Sequence, residues 1–456
     1  METPFTLDRR TRRLILWIYG AALLYFVFKQ VYYAVWIRGF PDQMAHLSYV
    51  LEMCRKPALL PDFASLPNYI EIGEQNGLTI YEVSAYGINY LTHPSLYYLL
   101  MAALSGSTLL SETTVLLSVM RLRILNILIT STAVMLSFRL GYTRLKNRSP
   151  LVHALYACAI ATLPMLAYVG ASLNNDNLAF LALVIFFTGL LRYQEDKLDL
   201  KTYLLIGGGF LLGSFSKVTM ALIMAFALLA VLVMSVIRTK SLKLILNKNF
   251  LITLPCYLLF LAYELYIHKR YGAWQPSLYN INPDFFYTTA YYIPPERREP
   301  MTLLKYLRHF VGGVGYTWSS LYSHNHQVTL IMNNAEWGTV YWIPVALAVL
   351  SALVQVIRRK ADRITIPIVF AFLGVIASHF YSNWKGYPIS GYLGATQARY
   401  YLAMIVPIAF IMCDRIPPLF EKRKILGRVL AGLLLAAWFA GDVVRLLVQY
   451  GFPELA

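Results

Sequence analysis

The sequence predicts an all-α integral membrane protein, and three observations predict it. Hydrophobic residues fill 58% of the 456 positions and charged residues only 14%, against roughly 25% charged in ordinary soluble domains. Apolar runs of about 17–23 residues recur along the chain, each long enough as a helix to cross a ~30 Å hydrocarbon core. Between these runs the basic residues fall in short clusters: Arg9, Arg10, Arg12 and Arg13; Arg139, Arg144, Lys146 and Arg148; Arg238, Lys240, Lys243 and Lys248; Arg358, Arg359, Lys360 and Arg363; and Arg415, Lys422, Arg423, Lys424 and Arg428. That is the pattern of cytoplasmic loops under the positive-inside rule. A soluble fold would leave this much apolar sequence in exposed patches. The net charge of +17 is therefore read as topology, with no nucleic-acid partner. Cys54, Cys158, Cys256 and Cys413 are scattered without CxxC or CxxxH spacing, so neither a disulfide framework nor a zinc site is expected.

Taken in order, the runs make about eleven spans in one polytopic membrane domain over residues 1–456, with the N-terminus cytoplasmic. Residues 14–37 form the first, with Lys29 near its outer end, where it can snorkel. This run follows basic residues as a signal peptide would, but it is long and lacks a small-x-small cleavage site, so it reads as a retained span. Residues 38–93 form a first outer loop, whose Tyr and Pro content suggests short interfacial helices. Residues 94–110 are expected to lie along the outer face or dip into it without crossing. Spans follow at 119–138, 151–169, 178–191, 203–215, 219–237 and 250–267. A second long outer loop covers 268–337. Within it Leu303, Leu304, Leu307 and Phe310 are set against Lys305 and Arg308 at the period of an amphipathic surface helix. Spans at 340–356 and 364–381, a polar third outer loop at 382–397, and spans at 402–412 and 425–447 complete the chain.

This topology gathers the unusual polar residues on the outer face: Asp42, His46, His93, Asp176, Lys217 and Arg399, with Arg297 and Arg298. Ionisable groups at span ends in apolar surroundings are costly and tend to be functional. Asp42 and His46 stand four apart, one turn along one face of a helix that starts after Pro41, a pairing suited to proton transfer or metal chemistry. One acid would act as a general base and the cations would hold a phosphate. Each residue also has a plainer reading. Asp42 and the Asn174-Asn175-Asp176 stretch would serve as helix caps, Lys217 as a snorkelling lysine, and Arg121 and Arg123 as span-end anchors. His153 would be structural, His324 and His326 ordinary loop residues, and Gly207, Gly208 and Gly209 a helix-packing surface.

The combined pattern resembles the GT-C fold glycosyltransferases that use polyprenyl-phosphate-linked sugars, and is most similar to the bacterial branch with a Pro-Asp-Glu-x-x-His motif after the first span. Here that motif reads Pro41-Asp42-Gln43-Met44-Ala45-His46, with Gln43 in place of the acid. The family's His-Pro-Pro-Leu-Tyr-Tyr stretch is similar to His93-Pro94-Ser95-Leu96-Tyr97-Tyr98, and its Asn-x-Asp stretch to Asn174-Asn175-Asp176. A lysine closing a Gly-rich span is similar to Lys217, and Gln-Gly-Arg-Tyr to Gln397-Ala398-Arg399-Tyr400. The matches run in order over residues 40–400.

The resemblance implies a GT-C-like fold and transfer of a sugar, with inversion, from a polyprenyl-phosphate donor to a cell-envelope glycan, lipid or protein. The site would face outward from the plasma (inner) membrane. The resemblance implies Asp42 as the base, with His46 and Asp176 orienting it or the acceptor, or sharing a divalent cation (Mg or Mn) with it. Lys217 and Arg399, with Arg297 or Arg298, would hold the donor phosphate, and His93, Asn175, Gln397 and Tyr400 would bind substrate. Gln43 in place of an acid weakens a metal site, because fewer carboxylates hold a divalent cation less well. Two other readings compete. A flippase for lipid-linked glycans would carry its charges along a midplane path, often with repeat symmetry. An envelope-polymer ligase or polymerase would lack the Asp42 motif directly after the first span.

Overall fold

The computed structural model describes residues 8–37, 40, 42–240, 247–318, 338–359, 362–394, 396–418 and 423–450, with side chains at 444, 445 and 447–450 left out. Pro41, the His324 and His326 pair, and Lys243, Lys360 and Lys422 of the basic clusters lie outside the described residues.

The chain opens with α1 (Arg9–Trp36). Asp8 caps it, its carboxylate accepting the Thr11 N–H at 2.7 Å, which satisfies one of the unpaired donors of the first turn. After α1 come α2 (Gln43–Arg55), α3 (Leu96–Leu104) and α4 (Val119–Arg144). A bent pair follows, α5 (Pro150–Ala161) and α6 (Pro164–Gly170), and then α7 (Asp176–Gln194), α8 (Leu200–Ser214), α9 (Val218–Thr239) and α10 (Lys248–Tyr271). Two single turns, α11 (Leu278–Ile281) and α12 (Pro283–Phe286), precede α13 (Leu303–Thr317), α14 (Ile343–Ile357), α15 (Thr365–Ser390), α16 (Ile405–Arg415) and α17 (Lys424–Tyr450).

Among the described residues eight helices are long and apolar enough to cross a membrane, and nine if α5 and α6, bent by 53°, count as one span. The chain thus has the architecture of a multi-pass, mostly helical membrane protein. Two of the expected spans differ from expectation. The one at 203–215 is α8, only 15 residues long, or roughly 22 Å at 1.5 Å per residue, short of a ~30 Å core. The one at 402–412 is a 3-10 segment, Ala398–Met404, running into the 11-residue α16. Residues 94–110 hold the nine-residue α3, too short to cross.

The first long loop also differs from the run of short helices expected. It contains α2 and the strands β1 (Pro67–Gln75) and β2 (Leu78–Ile88), which β3 (Thr108–Leu109) and β4 (Thr114–Leu117), beyond the loop, extend to an antiparallel sheet of four strands in the order β1-β2-β4-β3. The β1–β2 hairpin pairs Gln75 with Leu78 and turns on Asn76 and Gly77, both at positive φ (53° and 75°). That is the geometry of a type I′ turn, for which Asn-Gly is the preferred pair. The hairpin docks on α2, where the Tyr69 hydroxyl donates to Glu52 at 2.9 Å and the Tyr69 N–H to Ser48 at 3.0 Å.

Two apolar cores result. One fills the helix bundle, and the other lies under the sheet among α2, α3, the start of α4 and the end of α10. The bundle's first and last described helices are joined by Lys29 and Asp442, 2.5 Å apart and both fully buried, with the Tyr25 hydroxyl donating to the same carboxylate at 2.8 Å. Helix α13 presents Tyr306 and Phe310 to Phe380, Trp384 and Tyr387 of α15, and leaves Leu304, Leu307 and Val311 outward. Of the apolar residues expected on one amphipathic face, Phe310 therefore packs inward.

Candidate functional site

A cleft of about 410 Å3 opens where the two cores meet. Its charged lining consists of Asp42, Asp176, Lys217 and Arg399, together with three histidines, His46, His93 and His379. Asp42 and His46 share one stretch and the others each arrive from their own, and the local sequence explains their positions.

Asp42 precedes α2. Its backbone is left-handed, φ 58° and ψ 7°, a region that Asp tolerates better than most residues and that still costs energy. Its carbonyl accepts the His46 N–H at 3.0 Å and so starts the helix. Its side chain does not cap the helix. Instead the carboxylate reaches across the cleft, where the Arg399 guanidinium bonds one oxygen and the Tyr90 hydroxyl donates to the other at 2.6 Å. The capping reading of Asp42 is thus set aside, and the unusual backbone is what aims the carboxylate.

Asp176 begins α7, held by its own N–H donating to the Asn174 side chain at 2.9 Å. Asn175 donates to the Ser216 carbonyl at 2.8 Å, which ties the start of α7 to the Ser216-Lys217 corner between α8 and α9. From that corner the Lys217 ammonium bonds Asp176. Arg399 lies in the 3-10 segment that interrupts the expected late span. The Tyr400 ring is shared by both cations, with the Lys217 ammonium 4.7 Å and the Arg399 guanidinium 5.4 Å from its centroid, within cation–π range.

His46, buried, and His93, partly buried, lie beside the charges. His46 bonds the Tyr98 hydroxyl at 2.9 Å and lies parallel to His93, ring centroids 6.3 Å apart. Burial pushes His46 down to about 3, with Asp42 only partly opposing, and burial with the nearby Lys217 charge pushes His93 well below the histidine range. Burial alone would raise the Asp42 carboxyl. The charge and hydrogen bond of Arg399, helped by Tyr90, overturn this and hold it below the carboxylate range. Burial pulls Lys217 down despite Asp176.

Four buried polar atoms around this cleft have no hydrogen-bond partner: His93 Nδ1, Asn175 Oδ1, Asp176 Oδ2 and Arg399 Nε. At about 1–3 kcal/mol each, four such atoms in one place cost as much as a typical domain's whole stability margin of about 5–15 kcal/mol. A polar ligand in the cleft would satisfy them.

The two carboxylates do not combine with the histidines into a cation cage. Each is already taken by a basic side chain, and among the described residues no three His, Cys, Asp or Glu side chains group closely enough to hold a metal ion. The residues present therefore do not fit a resident Mg or Mn. Gln43 shows why the missing acid matters little here. Its side chain is buried and accepts from Arg123 Nε at 3.1 Å, while Arg123 NH1 bonds the Ala34 and Ile37 carbonyls at the end of α1. Position 43 faces a joint between helices.

Of the residues expected in a site, Asp42, His46, His93, Asn175, Asp176, Lys217, Arg399 and Tyr400 line the cleft, and Gln397, Arg297 and Arg298 do not. Arg298 spends its guanidinium on three carbonyls, Ile293, Pro388 and Ile389, at 2.6, 2.6 and 3.0 Å, and so clips the second long loop to the end of α15. Tyr90 and His379 were missed. His379 sits mid-helix in α15 between Tyr401 and Thr219; a histidine inside an apolar run was its only signal. Tyr90 had none beyond its nearness to His93. No protein-family model, curated protein or solved structure matches the chain.

Proposed function

We propose that the chain is a GT-C-like membrane glycosyltransferase that moves a sugar from a polyprenyl-phosphate donor to a hydroxyl of a cell-envelope glycan, lipid or protein. What supports this reading is one observation: five separated stretches, carrying Asp42, His93, Asn175 with Asp176, Lys217, and Arg399 with Tyr400, line one 410 Å3 cleft at the end of the bundle away from the basic loops. By the positive-inside rule that end is extracytoplasmic. The cleft's volume suits a sugar phosphate together with the end of an acceptor.

In this reading Lys217 and Arg399 hold the donor phosphate and Tyr400 braces both. The acceptor hydroxyl attacks the anomeric carbon as its proton passes to the Asp42 carboxylate. The bond from that carbon to the phosphate oxygen breaks, and its electron pair leaves with polyprenyl phosphate, inverting the centre. The cations stabilise the growing charge on the leaving phosphate. His46 and His93, neutral and buried, shape the wall without taking the proton.

The test is release of polyprenyl phosphate from a mixture of polyprenyl-phosphate sugars supplied with candidate acceptors, by the purified protein and by Asp42→Asn. Release by the wild type alone supports the assignment. Equal release by a folded Asp42→Asn removes Asp42 as the base. Donor-stimulated lipid flipping in liposomes without release favours a transporter.

A further inference from the structure

In the structure the proposed base and the proposed phosphate ligand are bonded to each other. Asp42 cannot accept a proton readily while Arg399 and Tyr90 occupy its two oxygens, and Arg399 is not wholly available to a phosphate while it serves Asp42. Something must separate them.

We infer that Asp176 is the positioning residue that takes Arg399 from Asp42 when the donor phosphate arrives, an inference that rests on the transferase reading above. Arg399 bonds Asp42 through a terminal nitrogen, and its Nε–H is buried without a partner. Asp176 bonds Lys217 through Oδ1, and its Oδ2 is buried without a partner. These are a donor and an acceptor of complementary kind on two oppositely charged side chains, and the Asp176 charge already acts on Arg399. Both residues border a narrow void of about 10 Å3, shared with Thr130, Asn177 and Met220. That is slack on the scale of one water, and it lies beside both side chains. Tyr400 lies against both cations, so each stays over a ring face during the exchange.

The trigger is charge. In the cleft two cations face two carboxylates. An arriving phosphodiester draws Lys217, which leaves Asp176 without its cation. Arg399 is the cation positioned to replace it. Once Arg399 turns, Asp176 Oδ2 and Arg399 Nε are both satisfied and Asp42 is released toward the acceptor hydroxyl. The base is thus freed only after the donor is seated, so the donor binds before the acceptor. Asp176 acts through Arg399 and need not touch the reacting atoms.

The experiment has two readouts on the full-length protein in lipid nanodiscs. The first is the structure with polyprenyl phosphate bound. Arg399 Nε within about 3 Å of Asp176 Oδ2, Lys217 on the phosphate, and Asp42 clear of Arg399 is the expected result. Arg399 still on Asp42, or Arg399 on the phosphate with Lys217 still on Asp176, overturns the inference. The second is steady-state kinetics of Asp176→Asn, in which kcat falls at least about a hundredfold, the scale of a general base, while KM for the donor holds or falls. Asp176→Glu restores part of kcat. A parallel loss of donor binding and kcat, or no loss of kcat, overturns the inference. Failure of the wild type to bind polyprenyl phosphate at all, seen in a direct binding titration, overturns the transferase reading and this inference with it, and is distinct from the outcomes above.

Discussion

Arg399 bonds the carboxylate of Asp42 across 357 residues of chain. The contact joins the loop after the first helix to a 3-10 turn near the end of the bundle, and makes the Asp42 carboxylate and an incoming phosphate compete for one guanidinium. Asp42→Asn therefore has two expected effects of opposite sign. Transfer falls by about 10²–10⁴-fold with loss of the base. Affinity for polyprenyl phosphate rises by roughly fivefold, about 1 kcal/mol, because Arg399 no longer has a carboxylate partner in Asp42. Fluorescence titration of wild type and variant measures the second effect, and an unchanged or weaker affinity would count against competition between Asp42 and the phosphate.

Tyr90 is expected to help Arg399 place the acid limb of the pH–rate profile. Burial raises the Asp42 carboxyl, and Arg399 and Tyr90 lower it. A base must be deprotonated, so activity is lost as pH falls through its pKa. Tyr90→Phe removes one lowering contact and moves that limb to higher pH. A limb that stays in place would limit Tyr90 to shaping the wall.

The same reasoning makes His46 silent. Burial pushes both His46 and His93 down, His46 to about 3, so His46 does not titrate between about pH 5 and 8, where an ordinary histidine would. His46→Gln should lower the rate without adding or removing a limb in that range. A limb that vanishes in His46→Gln would make His46 the group that carries the proton.

Gln43→Glu restores the acid of the resembled motif. Because position 43 meets Arg123 and the end of α1, the new carboxylate is expected to pair with Arg123. Activity measured with and without a chelator should show the same metal dependence in both proteins. Activation by Mg or Mn in the variant alone would show that position 43 can reach the cleft.

Arg298→Ala is expected to loosen the second long loop. Three carbonyls lose their donor, at about 0.5–1.5 kcal/mol each. Hydrogen exchange should rise across residues 289–298 and at the end of α15, with donor KM little changed. A large rise in KM with no change in exchange would return Arg298 to the phosphate.

The acids and bases of the cleft were legible in the sequence because isolated charges beside apolar runs are conspicuous, and helix direction alone brings alternate ends to one side. Two spans were overcounted for a physical reason. Hydropathy cannot distinguish an apolar helix that crosses from one too short to do so, such as α8, or from a 3-10 turn that carries Arg399 into a cleft. The hairpin had a readable signal in Asn76-Gly77, set between residues with strand character, and the reading of interfacial helices passed over it. The partners of Asp42 and Gln43 were out of reach. Whether a side chain at the start of a helix caps it or turns away depends on a left-handed backbone and on residues hundreds of positions distant. Arg298 shows the reverse failure, a cation beside the right loop whose donors go to carbonyls.

The buried contact between Lys29 and Asp442 spans 413 positions, and that distance is also an interval of time. At roughly 5–20 residues per second, the lysine waits about 20–80 s between its own synthesis and that of its carboxylate. Every intervening helix is made before the contact can close, so the bundle is sealed by one of its latest parts. A ribosome that stops before position 442 releases a chain with most of its helices and an ammonium still seeking that carboxylate inside the membrane.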